Sequence, residues 1–163
     1  MIYQMRQKML CLGDDYVIRD ERGHEMYYVD GKALSIGDSL SFQDMEGHEL
    51  ARIRQRLLTL GKTYDITRDG QTTTVHKHMF TFFKCTFDVD LPGPDDLEAT
   101  GNLLDMEYEF RRADGQIAAT VSKRWFALAD SYGVEIAAGF DPVLILASVV
   151  VIDLCCHGDR RGS

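Results

Sequence analysis

Apolar and polar residues alternate in short bursts over the first 125 positions, with Asp and Gly between the bursts. VIRDERGHEMYYV, at 17–29, reads as a strand, a turn at 20–23, and a strand. SLSFQDMEGHELARIRQRL, at 39–57, repeats the plan with its turn at 44–47, 24 residues on. TYDITRDGQTTTVHK, at 63–77, turns at Asp69-Gly70, and MEYEFRRADGQIAATVSKRW, at 106–125, turns at Asp114-Gly115. Asp-Gly between alternating runs predicts a tight hairpin, because both central residues of such a turn need positive φ. Residues 3–10, 80–88 and 134–138 are further strand candidates. From Ala51 to Leu57 the arginines share one face, and Ala51, Ile53 and Leu57 share the other. One wet and one dry face is the pattern of an antiparallel sheet wrapped around a core. Many short strands at this spacing predict a sandwich or barrel. The stretch 88–102, with two of the three prolines and five acids, is predicted as a connecting loop.

The pattern changes at FDPVLILASVVVIDLCCHG, residues 140–158, where only Ser148 interrupts the apolar side chains from Val143 to Ile152. A membrane helix needs about 20 apolar residues, and Asp141 and Asp153 lie only twelve apart. The β-branched run at 149–152 would suit a strand, but Asp141-Pro142 is a helix opening: an N-cap oxygen followed by a proline tolerated at the first helical position. Gly158 is a stop signal. A helix over 142–157 would be about 24 Å long and apolar all round, so it must be enclosed. Many antiparallel strands plus one such helix predict a closed barrel with the helix threaded through it, which also removes the sheet edges. Asp153 is expected near one mouth of the barrel or hydrogen-bonded inside. The domain is placed at 1–158, with a short tail at 159–163.

Composition changes this picture little. The 163 residues suggest one domain, and 45% apolar with 27% charged is ordinary for a soluble globular protein. The net charge of -8 argues against nucleic acid as a partner. Residues 1–80 carry 11 basic and 12 acidic side chains, and residues 81–163 carry 7 and 14, so a basic surface belongs in the first half. Eight acids and no base fall within 88–109, read as a solvated acidic surface. Cys11, Cys85, Cys155 and Cys156 form no metal-type spacing. The opening MIYQMRQKML has no secretory apolar core, so a reducing cytoplasm is the expectation.

VSKRWFALADSYGVEIAAGFDPVLILASVVVIDLCCHG, at 121–158, resembles the carboxy-terminal signature of the LURP-one-related family, in the tubby C-terminal-like superfamily. MRQKMLCLGDDYVIRDERGHEMYYVDGKALSIGDSLSFQDMEGHELARIRQRLL is similar to the family's ordered set of short strands, so the resemblance covers essentially the whole chain. It implies a mainly β protein: an antiparallel barrel of about twelve strands around a central hydrophobic C-terminal helix. Tubby-like relatives bind phosphoinositides through basic side chains on the barrel. Phospholipid scramblases look like distant relatives, with the helix as a membrane anchor and a calcium-binding last segment. Carried onto this chain, the calcium candidates are Asp130, Tyr132, Glu135 and Asp141.

Arg52, Arg54 and Arg56 form a basic stripe along one strand face. Guanidiniums about 6.6–7 Å apart can each grip a pair of phosphate oxygens, and the neighbouring hairpin adds Lys62, Arg68 and Lys77. The stripe reads either as a site for anionic phospholipid headgroups or phosphoinositides, or as a solvated face paired with acids. Lys123-Arg124-Trp125 is a second basic-aromatic cluster, read as core or as a membrane-interface element. His76 and His78 share a strand face and could make two metal ligands, with no third nearby. There is no GxSxG, phosphate-binding glycine loop or HExxH. The expectation is a non-enzymatic barrel without a cofactor, cytoplasmic and peripheral at a membrane, whose partner is anionic membrane lipid. A protein-interaction module with an unidentified protein partner and a scramblase-like membrane protein are the alternatives.

Overall fold

The structure, a computed structural model, describes residues 1–8, 15–31, 39–78, 86–126 and 131–157. Its strands are β1 (Ile2–Lys8), β2 (Asp15–Arg19), β3 (Glu25–Asp30), β4 (Ser39–Asp44), β5 (Glu49–Arg56) and β6 (Thr63–Arg68). They continue as β7 (Gln71–Lys77), β8 (Phe87–Asp90), β9 (Leu97–Asn102), β10 (Glu107–Arg112), β11 (Ile117–Ser122) and β12 (Ser131–Ile136). Each pairs antiparallel with its neighbour in sequence, and β1 closes on β12 with Tyr3 opposite Val134 and Met5 opposite Tyr132. The α-helix α1 (Pro142–His157) follows and runs inside the barrel against β5, β6, β7 and β12.

The predicted hairpins form, and their turns are of two kinds. Asp69 and Gly70 both have positive φ, 51° and 75°, with Arg68 paired to Gln71; this is the two-residue turn the dipeptide predicts. Asp114-Gly115 differs. The Gly115 N–H donates to Arg112 O and the Arg112 N–H to Gln116 O, while only Gly115 has positive φ. The Asp20 and Asp44 turns have the same bonds, with Gly23 and Gly47 in the left-handed position. Each of these three turns adjoins a register shift in its hairpin, so the glycine closes a bulge. Asp20 and Asp44 each accept two backbone N–H groups of their own turn.

Two expectations need correction. The stretch 88–102 contains the end of β8 and all of β9, so the connection shrinks to residues 91–96. In β9 only Leu97 and Ala99 face the core, too few apolar positions to read as alternation. Leu57 does not join Ala51 and Ile53 on the dry face: those two are buried, whereas Leu57 is 51% exposed. β5 ends at Arg56, and Leu57 already belongs to the next turn. Residues 80–85 of one strand candidate lie outside the described residues.

Along α1, Leu146, Val149, Val150, Val151 and Ile152 are fully enclosed. Asp141 caps its first turn, accepting the Val143 N–H at 2.9 Å. Ser148 is buried too and returns its hydroxyl to Leu144 O at 2.8 Å, so the one polar interruption of the run costs no unmet hydrogen bond. Asp153 is buried near the end of the helix and accepts the Tyr16 hydroxyl at 2.6 Å. No described helix is long and apolar enough to cross a membrane.

Because the strands alternate in direction, the turns at 20–24, 44–48, 69–70, 91–96 and 112–116 share the mouth where α1 begins. The connections at 57–62 and 103–106, and the 3-10 turn Lys123–Trp125, share the mouth where α1 ends.

Candidate anion-binding face

Arg52, Arg54 and Arg56 alternate with Ala51 and Ile53 along β5, so their side chains stand outside the barrel and all three are exposed. Two of them are clamped. Arg52 donates Nε and Nη2 to the two carboxylate oxygens of Glu49, both at 3.0 Å. Glu49 also accepts the Ser41 hydroxyl at 2.7 Å. Its carboxyl is held below the usual range, first by the Arg52 hydrogen bonds and then by Ser41. Arg56 donates Nε and Nη2 to Asp65 at 3.1 and 2.9 Å, and Asp65 takes a third bond from Thr74 Oγ1 at 3.0 Å. Arg54 stands between these pairs, and among the described residues it makes no ion pair or hydrogen bond. It is opposite Ser39 on one side and Asp65 on the other.

Lys62 and Lys77 lie beside one another at the Arg56 end of β6 and β7, where the Lys77 N–H donates to Lys62 O at 3.1 Å. Lys77 is opposite the buried Phe87 and alternates in step with the buried Val75, so it stands at the barrel mouth and not with the arginines on the outer face. Arg68 does not belong with them. It sits at the opposite end of β6, six residues or about 20 Å from Lys62. There Nε binds Asp141 at 2.8 Å and Nη1 binds Leu50 O at 3.0 Å, tying β5 and β6 to the start of α1.

The calcium candidates are dispersed. Asp130 lies outside the described residues. Glu135 is exposed on the outside of β12 between Ile2 and Thr120. Asp141 is committed to the helix cap and Arg68, and Tyr132 is buried. Among the described residues, the trio of potential ligands that converges is Asp44, Glu46 and His48, where the Asp44 carboxylate already staples its own turn. His76 Nδ1 is 2.7 Å from Thr63 Oγ1 and His78 Nε2 is 2.5 Å from Asp88, so each histidine has its own neighbour.

Trp125 is not core. It lies outside β12, 39% exposed, and a Cβ placed on Gly133 would stand 2.5 Å from its Cε3. Two features carried no sequence signal. One is a cavity of about 310 Å³ at the start of α1, lined by Gln71, Leu91, Pro92, Phe140 and Leu144 and by Arg112, which is paired to Asp95. The other is the group of buried tyrosines near Asp153. Tyr108 and Tyr132 are held protonated well above the usual tyrosine range, first by burial and then by the Asp153 charge.

A solved structure of a protein from Arabidopsis thaliana superposes with a TM-score of 0.66, over 98% of this chain and 92% of that one. At 17% identity that likeness establishes the fold alone. An uncharacterized protein of Bacillus subtilis (strain 168), YxjI, is 33% identical over 160 residues, covering 98% of this chain and 96% of its own. The LURP-one-related family model matches residues 1–153. With the closed twelve-stranded barrel and its enclosed helix, that match places this chain in the LURP-one-related family.

Proposed function

We propose that the outer face of β5 to β7 binds anionic phospholipid headgroups, phosphoinositides foremost, and that the barrel is a non-enzymatic binding module acting at a cytoplasmic membrane surface. Arg54 carries this reading: an exposed guanidinium between two arginines that bidentate pairs hold in place. Exposed ion pairs contribute only about 0–1 kcal/mol each. A multiply charged phosphate can therefore displace Glu49 or Asp65 and recruit Arg52 and Arg56 beside Arg54. Lys62 and Lys77 add positive charge at the adjoining barrel mouth. Attraction to an anionic surface is about 1 kcal/mol per basic side chain and is screened by salt.

The test is co-sedimentation with vesicles, with and without phosphoinositide, at low and moderate salt. Binding should require the anionic lipid and weaken with salt. Arg54→Ala should reduce it, while Arg111→Ala, an equal charge loss on β10, should not. Absence of binding at both salt levels, or equal loss in the two variants, would sink the headgroup reading. The scramblase-like alternative requires α1 to leave the barrel. Its 16 residues fall short of the roughly 20 a span needs, and it would carry Asp153 into the bilayer.

A further inference from the structure

We propose that the turn between β5 and β6, Leu57-Leu58-Thr59-Leu60-Gly61-Lys62, is a membrane-insertion tip. Its leucines enter the acyl boundary of an anionic bilayer while Arg54, Arg56 and Lys62 meet the headgroups. The polar half of this contact rests on the headgroup reading above; the apolar half does not. Leu57, Leu58 and Leu60 are 51%, 105% and 87% exposed. Scattered exposed leucines are ordinary, but three within four residues on one turn form a patch that water disfavours. Leu58 also has φ 63°, the left-handed conformation that Asn or Gly adopts more easily. Folding rewards neither feature, since a polar residue at this position would relieve both.

The backbone of the tip suits a drier setting. The exposed Thr59 hydroxyl lies 2.9 Å from Gly61 O and 3.4 Å from Arg56 O, so its one proton gives the turn's own carbonyls a donor within the tip. That is what apolar surroundings require of a backbone. The charges lie where a docked bilayer would place them: Arg56 and Lys62 bracket the leucines in sequence, and Arg54 lies one strand repeat behind. The rim agrees. Leu104 and Trp125, 48% and 39% exposed, sit on other connections of the same mouth, Trp125 beside Lys123 and Arg124. At the opposite mouth four of the five connections are Asp-Gly or Asp-x-x-Gly turns, and the exposed large apolar residues described there, Met1, Met26, Met45 and Ile117, lie on separate elements and do not adjoin in sequence.

The experiment uses the full chain and vesicles of phosphatidylcholine and phosphatidylserine in equal parts. Leu58→Asn/Leu60→Ser should lower vesicle partitioning by roughly tenfold or more and leave thermal stability unchanged or slightly raised, because both side chains are in solvent and Asn tolerates the φ of Leu58. Arg54→Ala should lower it by roughly fivefold. Leu60→Trp should give indole emission quenched by brominated acyl chains beyond the wild-type level set by Trp125. If the wild type binds and Arg54→Ala weakens it, but the leucine variant binds normally and Leu60→Trp adds no quenching, insertion is overturned and the headgroup reading stands. If the leucine variant fails to bind and Arg54→Ala is neutral, insertion stands and the headgroup reading falls. A wild type that ignores these vesicles overturns insertion, and one that also ignores the phosphoinositide vesicles overturns the headgroup reading too. A dimer by sedimentation velocity that Leu58→Asn/Leu60→Ser dissolves, without quenching, assigns the patch to a second copy of the chain and also overturns insertion.

Discussion

The same substitution should have opposite consequences at three buried tyrosines around one helix end. Tyr16, Tyr108 and Tyr132 are all enclosed, as is Asp153. Tyr16 donates to the Asp153 carboxylate at 2.6 Å. A hydrogen bond to a buried charge is worth about 1.5–3 kcal/mol, so Tyr16→Phe should destabilise by that amount. The hydroxyls of Tyr108 and Tyr132 are buried with no hydrogen-bond partner among the described residues. A buried polar group left unmet costs about 1–3 kcal/mol, so Tyr108→Phe should be neutral or stabilising by up to about 1 kcal/mol. For a chain of this size 1 kcal/mol shifts Tm by about 2–4 °C. Urea unfolding of the variants at neutral pH, with unchanged m-values, reads the difference directly. Raised pH supplies a second reading. The unfolded chain ionises its tyrosines from about pH 10, whereas the folded chain keeps Tyr108 and Tyr132 protonated beyond that. Their contribution is therefore full below about pH 10 and is lost as pH rises above it. Tyr108→Phe should flatten that alkaline loss. A Tyr108→Phe penalty as large as that of Tyr16→Phe, with an unchanged alkaline slope, would refute the reasoning.

Leu146→Ala should cost about 2–5 kcal/mol, because Leu146 is fully enclosed in the middle of α1; a Tm loss of only a degree or two would mean that α1 is not packed inside the barrel. Gly133→Ala should displace the indole of Trp125, the sole tryptophan, since the new Cβ would stand 2.5 Å from Cε3. A shifted emission maximum reports the displacement, and an unchanged spectrum contradicts the packing. Asp44 has its carboxyl lowered, first by the His48 backbone N–H. Its contribution is present above the unfolded carboxylate range near about pH 4 and lost as pH falls through the lower folded value. Asp44→Ala should thus lose less stability than the wild type on acid titration, and parallel acid curves would count against the turn staple.

Much of the barrel is legible because its hairpins announce themselves locally. Asp69-Gly70 and the Asp-x-x-Gly turns at 20–23 and 44–47 are set by which residues tolerate a left-handed backbone. β9 is illegible for the opposite reason: Leu97-Glu98-Ala99-Thr100-Gly101-Asn102 has weak strand preference, and the strand exists because β8 and β10 flank it. Gly101 belongs there because a Cβ would lie 2.7 Å from Glu107 O, a collision across strands that no local pattern encodes. Of the basic residues, the β5 stripe follows from period-2 alternation. That Arg68 leaves the group for Asp141, 73 positions away, does not.

The sequence by itself determined that residues 142–157 form a helix without a wet face, and hence that a barrel must close around it. Capping and burial are set by residues adjacent along the chain. Only the tertiary structure decided which arginines are clamped and which is left open. Glu49 reaches Arg52 within β5 because the bulge opposite Phe42 and Gln43 brings both to one face, and Asp65 reaches Arg56 through the register of β5 and β6. It alone also turned Leu57 from a core residue into a solvent-facing one, because where β5 ends is fixed by its pairing with β6. Charge balance and exposure are properties of neighbours in space, and for this chain they mark the candidate site.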